Sequence, residues 1–313
     1  MESDTSDEEI IEEKTDYNID TFIDYFLTWK IVLNQISRLP FDLRQQYLEN
    51  LNSRSRTSIT ETLLPRILLL LPTKPHNTNK NGNKIDMFND EIEVWEAEDK
   101  QAFLDHAVCL TYKQLLTSLP AYVRNWHNNK LSKSRKQTIE DYTAQHVSMS
   151  IIRSELALVH GKCGTTDGLT ISTRPRARQV LACYQISDAE FEISVELPAN
   201  FPLQPVKLET LKKAGVATTK WRYWMLQMTS LLHSHNGRIL DALLFWQQKV
   251  DRSFEGVEEC MICFSVVHGA NQSLPKLTCK TCKKKFHGEC LYKWFDSSNN
   301  STCPLCRQPM TFN

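Results

Sequence analysis

The chain has 313 residues, 41% of them hydrophobic and 24% charged, with zero formal net charge. That balance belongs to an ordinary folded protein and excludes a collagen-like, fibrous or wholly disordered one. Its most apolar run, residues 63–72, contains Arg66 and is bounded by prolines, so it fits a core helix and is too short to span a bilayer.

Residues 1–20 hold nine Asp and Glu against one Lys, a net −8, which leaves +8 on the rest. With almost no apolar content, this start reads as an acidic disordered tail. It has none of the basic and apolar character of a secretory signal. A cytosolic or nuclear setting is expected, where disulfides are rare.

Residues 21–148 read as helical. Phe22, Tyr25, Phe26, Trp29, Val32, Leu33 and Ile36 recur at three- and four-residue steps, one apolar stripe. A second helix is expected after Pro40 and a third over the Leu-rich run. Residues 72–86 are rich in Asn, Lys and turn formers, and read as a polar linker near 72–90. Helical signals return from Glu91 and continue through "AYVRNWHNNKLSKSRKQTIEDYTAQHVS". Helix pairs of this kind suit a helical-repeat array of the HEAT or armadillo type, although they establish no period by themselves.

The texture changes in 149–254. "GLTISTRPRARQVLACYQI" and "AEFEISVELP" read as strands, with Phe191, Ile193, Val195 and Leu197 on one face and Glu192, Ser194 and Glu196 on the other. A proline-rich turn follows, "PANFPLQP". Two helices are expected over "TTKWRYWMLQMTSLLHSH" and "GRILDALLFWQQKVDRSF", with a turn at Asn236 and Gly237 between them. Helices on one face of a meander make an α+β sandwich.

Residues 255–313 contain seven of the ten cysteines. Cys260, Cys263, Cys279, Cys282, His287, Cys290, Cys303 and Cys306 follow the spacing C-x2-C-x15-C-x2-C-x4-H-x2-C-x12-C-x2-C. Pairs two residues apart aim two side chains at one ion, so four pairs supply two tetrahedral zinc sites. All-Cys/His ligation is structural, and a segment with so thin a core needs such staples. Spacing alone leaves two pairings open. Sequential pairing resembles a LIM arrangement, and interleaved pairing puts Cys260, Cys263, His287 and Cys290 on one zinc and Cys279, Cys282, Cys303 and Cys306 on the other. Cys109, Cys163 and Cys183 lack paired spacing and read as core or incidental thiols. His268 reads as solvated, and His233 and His235 as helix-end residues. Lys280, Lys283, Lys284 and Lys285 read as wet surface.

"CMIC", "FHGECLYKWF" and "CPLCR" resemble a RING domain, a family with interleaved ligands. The PHD finger shares this ligand order, but it usually has an aromatic two residues before the seventh ligand, and Ser301 stands there. Trp294, Pro304 and Arg307 match RING positions instead. The resemblance implies a cross-brace built on two structural Zn2+ and an E3 ubiquitin transferase without a covalent ubiquitin intermediate. Ile262, Trp294, Pro304 and Leu305 would receive the ubiquitin-conjugating enzyme. Arg307 would hydrogen-bond both ubiquitin and that enzyme. Each of these residues also has a plainer reading, as small-domain filler or solvated charge.

The resemblance reaches upstream over about 100–313. "LPAYVRNWHNNK", "PANFPLQPVKLE", "WRYWMLQ" and "NGRILDALLFWQQKVDRSFEGVEECMIC" resemble the C-terminal end of the listerin family, ubiquitin ligases of ribosome-associated quality control. That resemblance implies an RWD domain before the RING, a cytosolic, ribosome-associated protein and, as partners, the large ribosomal subunit with its stalled nascent chain and further quality-control subunits. No cysteine lies between Cys183 and Cys260, so the RWD-like part should bind rather than catalyse. The family's members are far longer than this chain. The alternatives are a non-catalytic RWD–RING adaptor and, more remotely, a PHD-like reader of histone tails.

Overall fold

A computed structural model describes residues 18–53, 58–78, 84–88, 99–161 and 168–310. Residues 1–17 of the expected 1–20 tail and Cys163 lie outside these residues, whereas Ile19 and Asp20 are helical rather than tail, because Asn18 caps a helix there. The chain divides into two compact units, one of 1–151 with 199–204, the other of 152–198 with 205–313.

The first unit is helical. Asn18 caps helix α1 (Ile19–Arg38) by accepting the Asp20 N–H at 3.0 Å. Its expected stripe is the buried face, with Phe26, Trp29, Leu33 and Ile36 in the core. Helix α2 (Phe41–Asn52) follows Pro40. Ser58 then caps a π-helical turn, Ile59–Leu63, that runs into α3 (Leu64–Leu70). The "LLPRILLLLP" run thus lies here as a core helix, burying Leu63, Leu64 and Ile67. The polar stretch after it is not a plain linker. β1 (His76–Thr78) and β2 (Lys84–Asp86) pair antiparallel, and Met87 and Phe88 are buried. The Asp86 carboxylate holds the Phe88 N–H at 2.9 Å, turning that ring inward.

Helix α4 (Lys100–Ser118) packs along α1. It is buried nearly all round, as expected of a central helix. Helices α5 (Pro120–Lys130) and α6 (Lys133–His146) follow, and α7 (Ser148–Gly161) begins in this unit and runs on into the second. The proline turn of 199–204 belongs to this unit. The Arg124 guanidinium donates to the Pro202 carbonyl at 2.8 Å, Ser148 Oγ donates to the Phe201 carbonyl at 2.7 Å, and Leu203 joins the core. Burial draws Arg124 down to about 10.

The second unit contains a four-stranded antiparallel meander in the order β3 (Leu169–Arg174), β4 (Gln179–Ile186), β5 (Ala189–Glu196), β6 (Lys207–Lys212). The alternation read from sequence buries Phe191, Ile193, Val195 and Leu197. Ser194 departs from it. It is buried on the other face because Gln179 Nε2 donates to its Oγ at 2.9 Å from the neighbouring strand. Helices α8 (Thr218–Ser234) and α9 (Ile239–Phe254) supply Trp221, Trp224 and Trp246 to the core. Phe191 stacks on Trp221 at 5.9 Å and meets Phe254 edge-on at 5.5 Å. Buried Glu155 of α7 accepts Arg238 Nε at 3.2 Å and the Ile239 N–H at 3.3 Å, tying α7 to the start of α9. Five residues separate α9 from Cys260. The remainder is β7 (Leu277–Thr278), β8 (Lys285–Phe286) and α10 (Gly288–Ser298). Among the described residues, no helix is long and apolar enough to cross a membrane.

Candidate metal centre

The three C-x2-C pairs fold alike. After Cys260 the N–H of Phe264 returns to its carbonyl at 2.7 Å, after Cys279 that of Lys283 at 2.9 Å, and after Cys303 that of Arg307 at 2.9 Å. Each returning residue is left-handed, with φ of 55, 60 and 58 respectively. Such a conformation is unfavourable for a residue with a side chain, and it recurs here because the turn must aim two sulfurs at one point. The fourth pair is different. His287 precedes α10 and Cys290 lies in its first turn.

These turns bring the ligands together in an interleaved pattern. The donor atoms of Cys260, Cys263, His287 and Cys290 lie within 4.8 Å of one another, as do those of Cys279, Cys282, Cys303 and Cys306. The sequential alternative is not the one the fold adopts. A tetrahedral zinc with Zn–S of about 2.3 Å sets neighbouring sulfurs about 3.8 Å apart. Cys279–Cys306 and Cys282–Cys303 stand at 3.6 and 3.7 Å, whereas a disulfide would need about 2.05 Å. His287 presents Nδ1 to the first cluster, 3.3 Å from Cys263 Sγ and 3.8 Å from Cys290 Sγ. Its Nε2 donates to the Val266 carbonyl at 3.1 Å, the second bond that fixes a metal-binding tautomer.

The electrostatics agree. Backbone N–H groups of Cys282 and Thr281 hold the Cys279 thiol down at about 6. Burial pushes Cys290 and Cys303 up to about 12, so thiolates there call for a divalent cation. The eight residues fit two structural Zn2+.

Around this frame, Trp294 is 37% exposed, and its Nε1 donates to the Thr302 carbonyl at 3.2 Å, which fixes the ring. Leu305 is 49% exposed. Pro304 and Ile262 are half-buried, Ile262 against the small core, and Arg307 is exposed. Two features escaped the sequence reading. Phe264 is 69% exposed, an apolar ring held outward by its left-handed backbone. His268 is buried rather than solvated, its ring 5.2 Å from that of His287. Its lack of a ligand-spaced partner gave no sign of this packing. Cys109 is buried in the helical core. Cys183 sits on β4 with its thiol pushed up by burial and by Glu190, the opposite of an activated nucleophile.

Residues 1–160 match the LTN1 family HEAT repeat region, 169–253 the ubiquitin conjugating domain-like family and 258–307 the Ring finger domain. The chain is 40% identical over 294 residues to an "E3 ubiquitin-protein ligase listerin" of Xenopus tropicalis, covering 91% of this chain and 17% of that protein. Against the Mus musculus protein of the same name it is 40% identical over 292 residues, covering 91% and 16%. With that of Saccharomyces cerevisiae it is 31% identical over 319 residues, covering 97% and 20%. The chain thus spans between 16% and 20% of the length of these three curated relatives.

Proposed function

The chain belongs to the LTN1 (listerin) family, and we propose that it works as a RING-type E3 ubiquitin ligase. The observation that carries this reading is the exposed pair Trp294 and Leu305, beside Arg307, on a frame whose shape two metal sites dictate. The zinc ions supply structure alone, since every ligand position is filled by Cys or His. Trp294, with Leu305 and Pro304, offers a shallow apolar surface with one rigid aromatic anchor, a form suited to loops of a ubiquitin-conjugating enzyme. Arg307, exposed and two residues after Leu305, presents a guanidinium with several donors.

The chemistry is aminolysis. A lysine amine attacks the thioester carbonyl linking ubiquitin to the conjugating enzyme. The C–S bond breaks, an isopeptide bond forms, the thiolate of that enzyme leaves, and the attacking nitrogen gives up a proton to water. The chain forms no bond to ubiquitin. It restrains a flexible conjugate near its reactive geometry, which is catalysis by orientation. The ubiquitin-conjugating-like domain serves as a binding module.

The reading extends to nascent chains on stalled large ribosomal subunits in the cytosol, with other quality-control subunits as partners. The family membership and the domain order support that extension.

The test mixes the zinc-loaded chain with ubiquitin-charged conjugating enzymes and follows discharge to free lysine. Faster discharge that collapses in Arg307→Ala and Trp294→Ala, with zinc retained, supports a ligase. No stimulation by a folded, two-zinc chain leaves the adaptor. Co-sedimentation with purified large ribosomal subunits tests the extension separately.

A further inference from the structure

The longest ligand-free stretch of the zinc-bound segment is 264–278, between its second and third ligands. A stretch of this length beside so small a core has little of its own to fold onto. Its supports come from the α+β domain, at two places.

The first is the turn at Ser187 and Asp188 between β4 and β5. Ser187 is left-handed, with φ of 53, a conformation unfavourable for a residue bearing a side chain. The turn places the Asp188 carboxylate against two consecutive amides, accepting the Val266 N–H at 3.2 Å and the Val267 N–H at 3.2 Å. Hydrogen bonds to an ionised acceptor are the stronger kind. The second support is Gly215, with φ of 68, in the loop between β6 and α8. Its N–H donates to the Gln272 carbonyl at 2.7 Å. A Cβ there would lie 2.8 Å from Leu274 Cδ2 and 2.9 Å from Phe254 Cζ, so only glycine allows this approach.

The pinned stretch is also the outer shell of the first cluster. The Val266 carbonyl accepts Nε2–H of His287, whose Nδ1 faces the other ligands. A continuous path therefore runs from Asp188, through the backbone of Val266, to a metal-binding histidine. The second cluster has no such path among the bonds described.

We propose that Asp188 is a positioning residue for the first zinc. By fixing the backbone at Val266 and Val267 it holds the carbonyl that orients His287. The lifetime of the ion at Cys260, Cys263, His287 and Cys290 thus depends on the docked α+β domain, while that of the ion at Cys279, Cys282, Cys303 and Cys306 does not. The inference rests on the two-zinc ring finger and stands whether or not the chain transfers ubiquitin.

The experiment loads the full chain with Co2+ and times its loss to a chelator. Co2+ absorption separates the two sites, because one offers three sulfurs and a nitrogen and the other four sulfurs. Asp188→Ala should release the first ion on the order of tenfold faster, the scale of an outer-shell loss, with the second ion unchanged. Asp188→Asn, which keeps one acceptor oxygen, should fall between. Amide exchange supplies a second readout, in which Val266 and Val267 lose protection in Asp188→Ala while Cys303, a ligand of the second cluster whose N–H donates to the Gln308 carbonyl, keeps it. Gly215→Val, an independent disruption of the same docking, should also shorten the first lifetime selectively. Unchanged release of the first ion in Asp188→Ala overturns the proposal. So does equal acceleration at both sites, which would mean general loosening. Should Asp188→Ala not fold, Asp188→Asn decides by the same site selectivity.

Discussion

In the helical unit α1, α3 and α4 converge on a shared core of Phe26, Trp29, Leu33, Leu64, Val108 and Leu115. In the C-terminal segment the buried cluster has seven members, four of them cysteines, leaving Phe286, Leu291 and Met310. The first region derives its stability from apolar area removed from water, which is additive and tolerant of small changes. The second derives it from metal–thiolate bonds, which are few and cannot be lost singly. Held by metal, this region leaves Trp294 and Leu305 partly exposed instead of burying them in its own core.

Chelation should separate the two most sharply. Removing both ions should cost the C-terminal segment on the order of 10 kcal/mol and unfold it, while the helical unit keeps its thermal transition. Limited proteolysis with calorimetry would show this, and simultaneous loss of both regions would break the contrast. Next in size is Leu33→Ala. It should cost about 3 kcal/mol or more in the helical unit through transfer and cavity terms, with two zincs per chain still found by metal analysis.

A smaller effect concerns Glu155. Burial raises its carboxyl above the usual range, with the Arg238 charge and the Ile239 N–H drawing it partly back. The folded form therefore binds this proton more tightly than the unfolded chain. Its stabilising contribution is full below the ordinary carboxylate value of about 4.3 and is lost as pH rises through the raised value. The Tm of the wild type relative to Glu155→Gln should thus fall as pH rises above about 4. A difference that grows with pH would contradict it. Smallest in stability is Leu305→Ala, about 1 kcal/mol or less for a half-exposed side chain. Its zinc content should be unchanged, and discharge of charged conjugating enzyme should be lost.

What could be read from sequence was local. The α1 stripe, the apolar face of the strand alternation and the turn at Asn236 and Gly237 follow from periods and turn chemistry, and each appears where expected. The eight ligands were legible because their spacing is short. Their pairing was open to spacing and was set by the way His287 and Cys290 enter α10. Ser194, His268 and Asp188 were illegible for one physical reason. Their surroundings come from partners remote in the chain, such as Val266, which lies 78 residues from Asp188. The β1–β2 hairpin was missed because three-residue strands of His-Asn-Thr and Lys-Ile-Asp are too short for an alternation to show.

The junction after α9 has a kinematic consequence. Phe254 is buried, Cys260 is a ligand, and the stretch from Val266 to Gln272 is tied down at Asp188 and Gly215. A strap and two further ties restrict how far this segment can turn on the α+β domain. Under the proposed ligase reading, the transfer centre therefore keeps one position on the α+β domain. Search then falls to the acceptor, and a lysine is within range only when the slack of its own chain, at most about 3.5 Å per extended residue, reaches that point.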